Sequence, residues 1–176
     1  MIRFSTFATH LHCINAFTSK MLDPIAMFFL RIVGAKVFWD SGVTKWDGFL
    51  EFNTAKYDLF LYEYFCPDPV RSGALLLCDP EVLDYAEGSG MVRLIEMLAL
   101  TAGVLEIVLP ILLVIGLFTR FSALALLGMT LFIQVAVFPS WSHWWNPAIW
   151  WSVVLFTILA RGPGVLSLDR LLKFEK

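Results

Sequence analysis

From Phe121 to Ala160 the sequence holds no aspartate, glutamate, lysine or arginine. Charge is scarce throughout, at 16% of residues against 59% hydrophobic, whereas a soluble domain carries about 25% charged and roughly 45–50% apolar residues. That shortage argues against an ordinary soluble domain and points to a membrane protein. An excess of basic residues is also missing, and the formal net charge of −2 removes nucleic acid from the partners, since a binder needs a basic stripe. The cysteines are Cys13, Cys66 and Cys78, with no C-x-x-C spacing, so neither a zinc ribbon nor a thioredoxin motif is indicated. No nucleophile elbow, phosphate-binding loop, H-E-x-x-H or haem-attachment motif occurs. The string His10-x-His12-Cys13 has soft-metal ligands, but these positions do not all share a helix face and lack a fourth ligand. No metal site is expected.

What is present is a set of long apolar stretches. A span needs about 20 apolar residues, and 176 residues leave room for four with their connections. The expected fold is all-α: an integral membrane four-helix bundle over residues 24–172, an amphipathic N-terminal interfacial helix over 1–23, and a tail at 173–176. Ile2, Phe4, Phe7, Leu11, Ile14, Phe17 and Met21 recur at helical spacing. That segment either lies in the membrane interface or packs onto the bundle, and it lacks the clean apolar region of a signal peptide.

Asp23-Pro24 reads as a cap followed by a first-turn proline, which starts a first span ending near Val43. Lys36 and Asp40 lie four apart on one face and can pair, and Gly34 and Gly42 leave room for a close neighbour. Further spans are expected at about Val92–Phe118, Phe121–Phe138 and Ala148–Ala160, the last ended by Arg161-Gly162-Pro163-Gly164. Residues 46–90 are acidic and form one larger extracytoplasmic loop. Its early part, FLEFNTAKYDLFLYEYF, reads as an interfacial helix or re-entrant piece. Arg3, Lys20, Arg120, Arg161, Arg170, Lys173 and Lys176 then share one side, which makes both termini cytoplasmic. Cys66 and Cys78 would face an oxidising compartment. Their spacing permits a disulfide without deciding for it.

Three motifs together resemble the DoxX family. They are Arg31-x-x-Gly34-x-x-x-Phe38-x-x-Ser41-Gly42-x-x-Lys45, then Glu106-x-x-x-Pro110 with Gly116-Leu117-x-Thr119-Arg120-x-x-Ala123, and last Gly162-Pro163-Gly164-x-x-Ser167-Leu168-Asp169. The resemblance implies a small, multi-pass bacterial inner-membrane protein of four helices. It also implies a subunit or accessory role in a quinone-linked membrane oxidoreductase, because the family includes a subunit of thiosulfate:quinone oxidoreductase. Quinone is the cofactor it suggests. Two alternatives stand beside it: a non-catalytic anchor or maturation factor that meets an extracytoplasmic protein through the 46–90 loop, and a small transporter or metal-handling protein using Cys66, Cys78 and His143. A homo-oligomer is compatible with all three.

Counting about 1.5 Å per residue along each span puts Lys36, Glu106 and Gln134 at a similar depth. An acidic side chain at the bilayer centre lies about 2.5–3.5 kcal/mol uphill on translocon scales, so Glu106 needs company. These three residues either satisfy one another as a structural polar layer or form the catalytic set that takes a proton or holds a quinone headgroup. Asp40, Lys45, Glu96, His143 and Trp144 belong to the opposite end as candidate ligand-binding residues, walled by Trp141 and Trp145. Their plainer reading is an aromatic belt with an interfacial histidine. Arg31 is expected to snorkel to the headgroups, Arg120 to anchor the chain at the membrane surface, and Asp169 to cap a short C-terminal helix.

Overall fold

The computed structural model describes residues 2–66, 71–78 and 88–174, with side chains from Ala16 onward. The His10-x-His12-Cys13 string and the facing of the N-terminal aromatics up to Ile14 lie outside the described residues.

Helix α1 runs unbroken from Ile2 to Val43 with Pro24 inside it. The expected helix start at Asp23-Pro24 is therefore absent. Proline removes one backbone bond from the ladder, and the Asp23 carboxylate, instead of capping, pairs with Arg161 of a later helix. After α1 comes a small antiparallel hairpin, β1 (Trp46–Gly48) with β2 (Glu51–Phe52), in which Trp46 faces Phe52. It is the one β element among the described residues. Helix α2 (Thr54–Asp58) continues into a wider π-type stretch over Leu59–Phe65.

The apolar middle of the chain forms α3 (Gly90–Ile115) and α4 (Thr119–Phe132), the latter prolonged by π-type turns to Val137. Ser89 starts α3, its hydroxyl accepting from the Val92 amide at 3.3 Å. Gly116 ends it at φ +73°, a left-handed cap that suits glycine. A short α5 (Trp141–His143), a wide turn over Trp144–Ala148, α6 (Ile149–Arg161) and α7 (Leu168–Leu171) complete the order.

Helix α1 packs on α3, α3 on α4, α4 on α6, and α6 back on α1. Phe38, Leu109, Leu113, Leu126, Leu155 and Ile158 fill the space between them. A second apolar cluster joins the 59–66 segment to α3 through Phe60, Phe65, Cys66, Ile95 and Ala99. The outward faces are apolar too, with Met97, Val104 and Val108 of α3, Phe121 and Val135 of α4, and Val153 and Phe156 of α6 all exposed. Contiguous apolar surface of that kind marks a membrane or partner face. Among the described residues, two helices are long and apolar enough to cross a bilayer: Gly90–Ile115 and Thr119–Val137.

Candidate functional site

Gly42 sets the site by letting α1 and α3 approach closely. A Cβ at that position would stand 2.8 Å from the Glu106 carbonyl oxygen. Three residues later, Lys45 reaches back along α1, where its ammonium donates to the Glu106 carboxylate and, at 2.9 Å, to the Ser41 hydroxyl. The two charged side chains are only 9% and 7% exposed. A buried ion pair of this kind survives because each charge compensates the other, and deleting one leaves an uncompensated charge.

The pair stands in the wall of a cavity of about 370 Å³, within the range of small-molecule sites. Phe60, Tyr64 and Phe65 supply one side, Leu98 and Ala102 of α3 the second, and Met129, Phe132 and Phe138 at the far end of α4 the third. The π-type turns at 59–65 and 133–137 bring these side chains in, since an inserted residue shifts the helix face. Phe60 and Tyr64 meet edge to face at 5.0 Å, and Tyr64 and Phe138 at 5.7 Å.

Residues 71–78 strap this end of the cavity. The Leu75 amide donates to the Ala136 carbonyl at 2.7 Å, and the Leu77 amide to the Phe65 carbonyl at 3.2 Å. Arg71 donates to the carbonyls of Glu63 and Tyr64, and its guanidinium lies 4.9 Å from the centre of the Phe138 ring. Burial raises the Tyr64 phenol above its ordinary pKa, with Glu63 and Glu106 adding to the rise and Arg71 opposing it. Tyr64 is therefore a neutral hydrogen-bond donor. Chemically the site offers an apolar, aromatic slot with one ammonium and one carboxylate held side by side.

Lys36 and Gln134 do not join Glu106. Lys36 bonds Asp40 at 2.5 Å on an open face, the two side chains 69% and 57% exposed. Lys45 follows Lys36 by nine positions, about two and a half turns, and so points the opposite way. Gln134 donates to the Ser140 carbonyl at 3.0 Å and accepts from His143 Nδ1 at 2.6 Å. Burial lowers the His143 pKa. Glu96 is exposed and Trp144 half-buried, and neither lines the cavity. Of the residues assigned to the opposite end, only Lys45 enters it.

Arg31 does not snorkel. It is fully buried, donating to the Leu166 carbonyl beneath Gly116 and Ser167. Asp169 caps a different helix from its own. Its two carboxylate oxygens accept from the Phe118 and Thr119 amides, each at 2.8 Å, at the start of α4, while Ser167 accepts from Arg170 to cap α7. Arg120 donates to the Leu159 carbonyl at 2.6 Å, tying α4 to the end of α6. Cys66 and Cys78 are joined as a disulfide, with Cα atoms 5.6 Å apart.

The DoxX family model matches residues 26–139. The chain belongs to the DoxX family. Every cavity-lining residue of this DoxX protein, from Ser41 to Phe138, falls inside the matched segment, whereas the Gly162-to-Asp169 motif lies beyond it. Family and apolar helices together make it a membrane protein. No curated protein and no solved structure matches the chain.

Proposed function

We propose that this DoxX protein is an integral membrane subunit of a quinone-linked oxidoreductase system and that the cavity beside Lys45 and Glu106 receives the quinone headgroup. The observation that carries this reading is a buried ammonium–carboxylate pair in the wall of an otherwise aromatic and aliphatic slot. A quinone ring is flat and apolar with two carbonyl oxygens, so aromatic walls suit its faces and the Lys45 ammonium suits one oxygen. Reduction places negative charge on that oxygen, which a fixed cation stabilises in a site of low dielectric. In the same reading α1 from about residue 24, α3, α4 and α6 cross a bacterial inner membrane, and both termini are cytoplasmic. Titration of the purified protein with a short-chain ubiquinone, followed by tryptophan fluorescence, tests it. Saturable quenching that weakens in Lys45→Met supports the site, and no quenching removes it.

A second reading is favoured by the hairpin tip, where Phe49 is 93% and Leu50 76% exposed. These side chains would dock on an extracytoplasmic protein, making the chain an anchor or maturation factor. Recovery of one partner by pull-down, lost in Phe49→Asp but kept in Glu106→Gln, decides for this reading.

A further inference from the structure

We propose that Cys66 and Cys78 form a redox-active pair that passes two electrons from a substrate dithiol to the occupant of the adjoining cavity, which makes the protein a thiol oxidase of proteins or peptides. The proposal rests on the quinone reading and names the electron donor that it lacks.

The disulfide and the cavity share their walls. Phe60 and Phe65 line the cavity and belong to the same buried cluster as Cys66. Leu98 and Ala102 of α3 line the cavity and pack against that cluster. Cys66 directly follows the helical stretch 59–65 that carries three of the cavity's aromatic residues. Cys78 Sγ lies 3.4 Å from the carbonyl oxygen of Phe65. Phe65 thus joins the two: it lines the slot, directly precedes Cys66, and its carbonyl oxygen lies against Cys78 Sγ. A bond serving only to staple the 66–78 segment has no need of that placement.

The two sulfurs also differ in access. Cys66 belongs to the buried cluster, whereas Cys78 is half-buried. An incoming thiolate therefore meets Cys78 first, and the leaving sulfur is that of Cys66, next in the chain to the cavity-lining Phe65. Arg71, held on the Glu63 and Tyr64 carbonyls at the end of the same helical stretch, adds a fixed positive charge of the kind that favours a thiolate.

The exchange balances without any further reagent. A substrate thiolate attacks Cys78 Sγ, breaking the Cys66–Cys78 bond and forming a mixed disulfide, and Cys66 departs as a thiolate that takes up a proton. The second substrate thiolate attacks its own sulfur in the mixed disulfide, which releases oxidised substrate and the Cys78 thiol. The two protein thiols then give two electrons and two protons to the quinone. Hydroquinone leaves and the Cys66–Cys78 bond forms again. Lys45 contributes by donating a hydrogen bond to the headgroup oxygen as charge builds there.

The test is a single turnover of the full chain in detergent micelles. The protein is reduced with dithiothreitol, freed of it under anaerobic conditions and mixed with one equivalent of short-chain ubiquinone, and hydroquinone and remaining thiols are counted. Loss of two thiols for each hydroquinone formed is the expected result. Reduced protein alkylated before mixing should form no hydroquinone, and Cys66→Ser/Cys78→Ser should behave alike. Because that variant risks misfolding, tryptophan quenching by quinone is read on every sample. Quinone that binds while the thiols stay unoxidised overturns the relay and leaves the quinone site standing. Quinone that neither binds nor becomes reduced overturns both.

Discussion

Lys45 and Glu106 lie 61 positions apart in the chain and are joined in the structure by a buried ammonium–carboxylate contact. The first sits at the loop end of α1 and the second in the middle of α3. Their pairing binds the two helices at the point where Gly42 brings the backbones together. It also gives the cavity its only buried charged residues among the described lining.

Glu106→Leu and Lys45→Met should each destabilise the fold by about 3–5 kcal/mol, because each leaves a buried charge alone. The double variant should recover most of that loss. Unfolding midpoints in detergent for the single and double variants check it. A double variant as unstable as the worse single one would show that the pair is not the coupled unit described.

Lys36→Met should change stability by no more than about 0.5 kcal/mol, the worth of an exposed i,i+4 pair. Quinone quenching should also be unaltered. A loss of either comparable to that of Lys45→Met would return Lys36 to the site.

Gly42→Val should destabilise by about 1–3 kcal/mol, as overpacking does in a well-filled interior, since its Cβ would press on the Glu106 carbonyl. The same substitution should weaken quinone binding by pushing Lys45 away from Glu106. Thermal unfolding and quenching measured on one preparation report both effects.

Asp169→Ala should cost about 1–3 kcal/mol, because the Thr119 amide at the start of α4 loses its acceptor in a buried position. Ser167→Ala, which removes the cap of the short exposed α7, should cost less. Comparison of the two unfolding midpoints tests the ranking.

His143 gives a pH dependence. Burial holds its pKa below the ordinary 6.5, so the folded protein takes up a proton less readily than the unfolded chain. The contribution is full above the unfolded pKa and is lost as pH falls through 6.5 towards the lower folded value. The thermal midpoint should therefore drop between about pH 8 and about pH 5, and His143→Gln should flatten that part of the profile.

Much of the helical frame was legible from composition. The uncharged run and its flanks predict apolar helices at 92–118 and 121–138, against Gly90–Ile115 and Thr119–Val137 in the structure. Spacing within one helix also predicts the Lys36–Asp40 contact, since four residues bring side chains to one face. Other features depend on how one helix is turned against another. Depth counting set Lys36 beside Glu106, yet the rotation of α1 about its own axis presents Lys45 instead. Arg31 could be placed on α1 but not beneath Gly116, because its acceptor belongs to a residue 135 positions away. Asp169 carried the right chemistry in the sequence, a carboxylate capping amides, while the helix it caps was set by tertiary contact. Helical phase carries the signal: continued one turn past Val43, the stripe of Phe38 and Gly42 reaches Lys45, with Lys36 on the opposite side.

The Asp169 contact also joins early and late parts of the chain. The turn between α3 and α4 lies fifty positions before the carboxylate that closes it, so its amides precede their acceptor in the chain. Those amides gain their acceptor only from the segment after α6, which folds back onto the start of α4. Without Asp169 the Phe118 and Thr119 amides would lose this acceptor. One late carboxylate thus ties the C-terminal motif to the junction of α3 and α4.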